Sequence, residues 1–256
     1  MLGIITILLI AVMAFVYELL DSATGQGYGT LGSPSLLLMG FASTLVVPAE
    51  LFSQVIGDFS SAFFHNKWKN ANFSHWKSPD VRRALIITAA GVIGVVIAAW
   101  LGASIIPKSV MTTYIGIVVT AVGLLMLSGI SLKFTYKKLI ALGAVSAFNK
   151  GMSGGGYGPV VAGGQVVIGE GAKNSIGITD LAEGPICIAG FVTWSLIRGI
   201  SAAEIELMVP LSIGALLAPV LGTWITYKVP TAKLRRIMGV IIVILGVLTL
   251  AKILSP

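Results

Sequence analysis

Two short stretches decide how this chain folds: Ala23-Thr24-Gly25-Gln26-Gly27-Tyr28-Gly29 and Met152-Ser153-Gly154-Gly155-Gly156-Tyr157-Gly158. They lie 129 residues apart, and the same offset aligns Gly40 with Gly169, Ser53 with Ala182 and Gln54 with Glu183. Further on, an offset of 123 residues pairs Pro107 with Pro230, Gly116 with Gly239 and Gly123 with Gly246. Ordered matches through both parts of each half mark an internal duplication. The two copies expected are residues 1–132 and 133–256.

Around the breaks the chain is apolar almost throughout. Hydrophobic residues make up 56%, charged residues only 11%, and the mean hydropathy is +0.96. A soluble domain carries about 25% charged residues, so lipid must cover the surface that polar groups leave unclaimed. Apolar runs fall at roughly 2–20, 31–41, 47–65, 84–106, 110–129, 139–149, 158–169, 175–197, 206–227 and 236–254. A spanning helix needs ~20 such residues, so the chain supplies at most about ten and has no room for a separate soluble domain. The runs 31–41 and 158–169 follow the glycine breaks and reach only about halfway across a bilayer. The expected fold is an all-α polytopic integral membrane protein of about 8–10 helices. Each half holds a broken or re-entrant helix pair and three spanning helices. The first run, Leu2 to Leu20, lacks a basic leader and exceeds a signal-peptide core of ~7–15 residues, so it is read as mature protein.

The net charge of +7 comes from seventeen Lys and Arg residues that gather in short clusters between apolar runs, a loop pattern that implies no nucleic-acid partner. Lys67, Lys69, Lys77, Arg82 and Arg83 form the first cluster, Lys133, Lys137 and Lys138 the second, and Lys228, Lys233, Arg235 and Arg236 the third. Basic loops stay in the cytoplasm, and all three are assigned there. One hairpin plus three spans makes an odd number of crossings per half, so the second copy enters the membrane from the opposite side. The repeats are then inverted and both termini face outward. The partner loops agree, since 66–83 is strongly basic while 198–206 sets Arg198 against Glu204 and Glu206. The expected location is the cytoplasmic membrane, as a multi-pass protein with the lipid bilayer as its main partner.

Irregular backbone at membrane depth survives only where protein or a water-filled cavity satisfies it, because an orphaned amide costs several kcal/mol in hydrocarbon. The two breaks are therefore the candidate site. A helix restarting after a break presents free N–H groups and the positive end of its dipole, which hold an anion without a full side-chain charge. The substrate-binding candidates are Thr24, Gly25, Gln26, Gly27, Tyr28 and Gly29, then Asn149, Lys150, Ser153, Gly154, Gly155, Gly156 and Tyr157. The glycines either let a ligand approach the backbone or let helices pack closely. Lys150 either balances anionic charge or snorkels to an interface, and the tyrosines either donate to an oxyanion or anchor the turns. Asp21, Asp58, Asp180 and Glu183 are coupling or ion-pair candidates, with Glu18 a further acid near an apolar run, since carboxylates in a membrane mark pathways, proton relays or ion pairs. Asp180 and Glu183 share a helix face, with Lys150 a candidate partner. His65 and His75, flanking Trp68 and Trp76, read as an interfacial aromatic belt rather than a metal site. Cys187 reads as a small buried residue. No cofactor or metal is expected.

The two-half plan and the Gly-Tyr-Gly within each glycine-rich segment resemble the TauE/SafE sulfite-exporter family, also called the TSUP permeases. The resemblance covers nearly the whole chain and rests on architecture and glycine pattern. It implies transport of sulfur-containing anions such as sulfite, sulfoacetate or taurine. A related thiosulfate class uses intramembrane cysteines, whereas this chain has only Cys187. No P-loop of the form GxxxxGK[ST] appears, and no nucleophile and base stand together, so an enzyme is not expected. The leading expectation is a secondary transporter with a midplane site between the breaks, coupled to protons or sodium. An anion channel, or a carrier of another oxyanion or a carboxylate, is the alternative. Assembly into a homo-oligomer is left open.

Overall fold

Every regular element among the described residues of the computed structural model, 2–128, 135–167 and 170–254, is helical. Gly169, Lys133 and the boundary between 132 and 133 lie outside the described residues. In chain order the helices are α1 (Ile4–Thr24), α2 (Tyr28–Leu38), α3 (Ser43–Lys67), α4 (Pro79–Ser104), α5 (Lys108–Ser128), α6 (Tyr136–Ser153), α7 (Tyr157–Val167), α8 (Ala172–Arg198), α9 (Ala202–Leu217), α10 (Pro219–Lys228) and α11 (Thr231–Leu254). α9 and α10 join through Ala218 into one rod. Among the described residues, four stretches are long and apolar enough to cross a membrane: Ile4–Thr24, Pro79–Ser104, Ala172–Arg198 and Ala202–Lys228. Their outward faces carry exposed Ile4, Leu8, Val12, Leu85, Ile93, Leu196 and Leu216, a surface suited to lipid and to nothing aqueous. The protein is a polytopic membrane protein.

The short helices fold back on their predecessors. Tyr17 on α1 donates its hydroxyl to Ser35 Oγ on α2 at 2.9 Å, eight residues before the break and seven after the start of α2. In the second hairpin Leu142 on α6 packs against Gly164 on α7. At eleven residues each, α2 and α7 rise about 16 Å, roughly half a hydrocarbon core.

The two hairpins enter from opposite ends of the bundle. α1 runs alongside the α9–α10 rod in the same direction, with the Leu2 amide on Glu206, Ala11 and Phe15 at Gly214, and Ser22 at Gly222. α6 runs alongside α4 in the same way, with Ile87 at Gly143, Ala144 at Gly94 and Val95 at Gly151. Glycine at each crossing removes the side chain that would hold the rods apart, the usual way membrane helices gain contact where apolar burial gives no drive. The basic clusters collect at one end: Trp68 stacks on Tyr227, Asn70 donates to Thr223 O at 2.9 Å, and Arg82 lies over the Tyr136 ring.

Helices separated by the offsets read from sequence pack on each other antiparallel. On α5 and α11, Gly123 meets Val243 while Gly246 meets Thr120, a reciprocal exchange at 123 residues. α3 and α8 cross with Phe59 at Gly184 and Leu51 at Gly190. This crossing sets mid-helix polar residues of both helices face to face.

Candidate functional site

The two breaks are built alike and meet each other. Gly25 (φ 70°) and Gly154 (φ 76°) take the left-handed conformation that ends a helix, their N–H groups on Asp21 O and Lys150 O. Thr24 Oγ1 lies 2.7 Å from Leu20 O and 3.0 Å from Gln26 O, and Ser153 Oγ lies 2.7 Å from Asn149 O and 2.9 Å from Gly155 O. A Cβ on Gly29 would overlap the Gly154 carbonyl, and one on Gly158 would overlap that of Gly25. Backbone therefore rests on backbone where the breaks cross. The Gly156 amide donates to Thr30 Oγ1 at 3.1 Å across the same junction.

Six of the chain's ten acidic residues, Glu18, Asp21, Glu50, Asp58, Asp180 and Glu183, are buried in the bundle. Lys150 is the one buried Lys or Arg among the described side chains, so it does not snorkel. Its ammonium pairs with Glu183 Oε1 at 2.8 Å and donates to Gln54 Oε1. Gln54 Nε2 in turn donates to Glu183 Oε1 at 3.0 Å and to Asp21 Oδ2 at 3.3 Å. Cys187 Sγ donates to Asp58 Oδ2 at 3.6 Å, and Ser61 Oγ to Glu18 Oε1 at 3.2 Å. Gln54 with Glu183 and Asp58 with Cys187 are each 129 residues apart, so residues matched by the sequence offset touch. Asp58, Glu183 and Cys187 could present ligand atoms to a cation within 4.8 Å of one another, but the Lys150 ammonium on Glu183 opposes one there.

His65 departs from the interfacial-belt expectation. Its ring is fully buried, Nε2 lying 3.0 Å from Ser22 O and 3.2 Å from Asp180 Oδ2, with Nδ1 3.1 Å from Asn70 Nδ2. Its neighbour in the loop, Trp76, is 76% exposed. Asn149 turns to α5, where Tyr114 donates to its Oδ1.

The two junctions differ where it matters for an anion. The Asp21 carboxyl group faces the Tyr28 N–H at the start of α2. At the position 129 residues later stands Lys150, ahead of α7. Tyr28 Oη is within 2.8 Å of Ser53 Oγ and 3.3 Å of Leu211 O, whereas Tyr157 Oη, buried, has no hydrogen-bond partner among the described residues, Ala182 standing where Ser53 does. Both amide atoms of Gln26 are likewise buried and unpartnered. Buried polar groups without partners cost about 1–3 kcal/mol each, so the Tyr157 hydroxyl and Gln26 amide are among the groups that a polar guest would satisfy.

A model of the family described as "Sulfite exporter TauE/SafE" matches residues 9–249. The chain belongs to the TauE/SafE family. It is 22% identical over 263 residues to "Probable membrane transporter protein YtnM" of Bacillus subtilis (strain 168), an alignment covering 95% of this chain and 82% of that relative. No solved structure matches the chain. As a TauE/SafE protein it is a multi-pass membrane transporter. Glu50, buried against Gly32 and Gly154, is the acidic residue at this junction that reading the sequence misses. It follows Pro48 in an apolar run, and Thr179 stands at the equivalent position, so neither a cluster nor the repeat draws attention to it.

Proposed function

We propose that the protein is a secondary transporter that moves a small sulfur-containing anion, sulfite or an organosulfonate, through a site at the N-terminus of α7. The observation that carries this reading is the asymmetry of the junctions. Asp21 stands ahead of α2, whereas the position 129 residues later, ahead of α7, is Lys150, and the Tyr157 hydroxyl and Gln26 amide are buried without partners among the described residues. A negatively charged oxygen completes that set, with the helix dipole and the ammonium supplying charge and the hydroxyl and amide supplying direction. Glu183 holds Lys150, and the substrate anion competes with it for the ammonium.

Residues 1–132 and 133–256 act as two inverted copies that rock about the α3–α8 and α5–α11 crossings. The antiparallel packing of equivalent helices supports this, because inverted copies have two near-equivalent arrangements around one midplane site. The test is counterflow in proteoliposomes preloaded with unlabelled sulfoacetate or sulfite. Saturable accumulation of the labelled anion, lost in Lys150→Met, is the expected result. Flux that never saturates, or that survives Lys150→Met, overturns it.

A further inference from the structure

Resting on the transporter reading above, we propose that Glu50 is a proton-binding site that latches the crossing of the two breaks, and that release of its proton opens the latch during transport. Glu50 projects from α3 into the point where both hairpins meet. Gly32 of α2 and Gly154 of the second break each lack the Cβ that would collide with its carboxyl oxygens. The group approaching the Gly154 backbone is therefore the protein's own carboxyl. It is fully buried, makes no ion pair among the described residues, and leaves Oε1 without a hydrogen-bond partner. The titratable groups that face it are Tyr17 from α1, Tyr28 from α2 and Lys150 from α6, and the Lys150 ammonium is bonded to Glu183 and Gln54 instead. From α9 it meets apolar Leu211.

Counting hydrogens locates the proton. Ser33 Oγ contacts Glu50 Oε2 on one side and lies 2.6 Å from the Ser153 carbonyl on the other. A hydroxyl owns one hydrogen, and neither a carbonyl nor a carboxylate can donate. With the Ser33 hydrogen on Ser153 O, the hydrogen between Ser33 and Glu50 belongs to the carboxyl, which donates it to Ser33 Oγ. This chain of two hydrogen bonds ties α3 through α2 to the end of α6. When the proton leaves to solution, the carboxylate becomes an acceptor and draws the Ser33 hydrogen to itself. The Ser153 carbonyl then has no donor from Ser33, and this tie between the hairpins is broken, leaving the Gly156 amide on Thr30 Oγ1. Protonation closes the latch and deprotonation releases it, so each passage through the open form returns one proton to water. A carboxylate already paired with an ammonium, as Glu183 is, cannot do this without first losing its partner.

Infrared difference titration of the purified protein reads the proton without any substrate. The expected spectrum contains a protonated-carboxyl C=O band, one component of which disappears in Glu50→Gln and shifts in Ser33→Ala. Glu50→Gln keeps a donor for Ser33 through its amide, so it folds with the latch closed. Because its amide cannot deprotonate, in proteoliposomes it loses sulfoacetate counterflow with or without an imposed pH gradient, while the purified variant remains folded. An unchanged carboxyl band in Glu50→Gln, or counterflow that survives in that variant, overturns the proposal. If wild type carries no sulfoacetate or sulfite at all, the transport reading fails while the infrared band still decides the protonation of Glu50.

Discussion

Breaking the Lys150–Glu183 pair is the sharpest test of how the centre is held together. Both side chains are buried and 2.8 Å apart, and each also bonds the same Gln54 amide. Removing one partner of such a pair strands the other charge in a medium that solvates it poorly, at a cost of about 3–5 kcal/mol, whereas removing both is close to neutral. Lys150→Met leaves Glu183 with only the Gln54 N–H, and Glu183→Gln leaves the ammonium facing two amide oxygens. Each single variant should therefore lose about 3 kcal/mol or more, and the double variant Lys150→Met/Glu183→Gln should recover at least about 2 kcal/mol relative to the sum of the singles. Equilibrium unfolding of the protein in mixed micelles, followed by circular dichroism across the four-member cycle, measures this directly. Additive losses would refute the reasoning, because they would mean that the two charges are solvated independently.

Other outcomes follow from the packing. Gly29→Ala and Gly158→Ala place a Cβ on the carbonyl of the opposite break and should sharply reduce the yield of folded protein. Gly171→Ala, which meets only Asn174 Oδ1 at 3.7 Å, should be tolerated, and size-exclusion profiles compare the three. In a Cys187→Ser background, Ser74→Cys and Lys228→Cys should react with an impermeant thiol reagent from the same side of the membrane and Ala203→Cys from the other; labelling of Ser74→Cys and Lys228→Cys from opposite sides would contradict the stacking of Trp68 on Tyr227. His65→Ala removes the donor to Ser22 O and the neighbour of Asp180, and should cost about 1–3 kcal/mol in the same micelle unfolding measurement.

The apolar runs correspond to the helices because hydrocarbon leaves the backbone no alternative to satisfying itself along its own segment. Departures come where a helix faces protein. The run 139–149 extends through Lys150 to Ser153 in α6, since Lys150 turns inward to Glu183 and Gln54 and not to lipid. The offset of 129 residues anticipates contacts as well as likeness, as Gln54 with Glu183 illustrates. His65 could not be read this way. Its sequence neighbours Trp68 and Trp76 suggest an interface, while its burial depends on Ser22, Asn70 and Asp180, and Asn70 is fixed by Thr223 on a helix far along the chain. The glycines were legible as special, but not which of their two uses applied. At Gly29, Gly158 and Gly154 the close neighbours are the opposite break and Glu50, a matter of three-dimensional crossing that no local pattern encodes.

The proposed oxyanion site lies at the N-terminus of α7 beside Lys150. Selenite, a heavier analogue of sulfite, can be located by anomalous diffraction from crystals of the protein grown in its presence. The account predicts an anomalous peak within hydrogen-bonding distance of Lys150 Nζ and Tyr157 Oη, lost in crystals of Lys150→Met. A peak confined to the polar loop pocket lined by Lys69, Asn70 and Asn174, with none at α7, would contradict it.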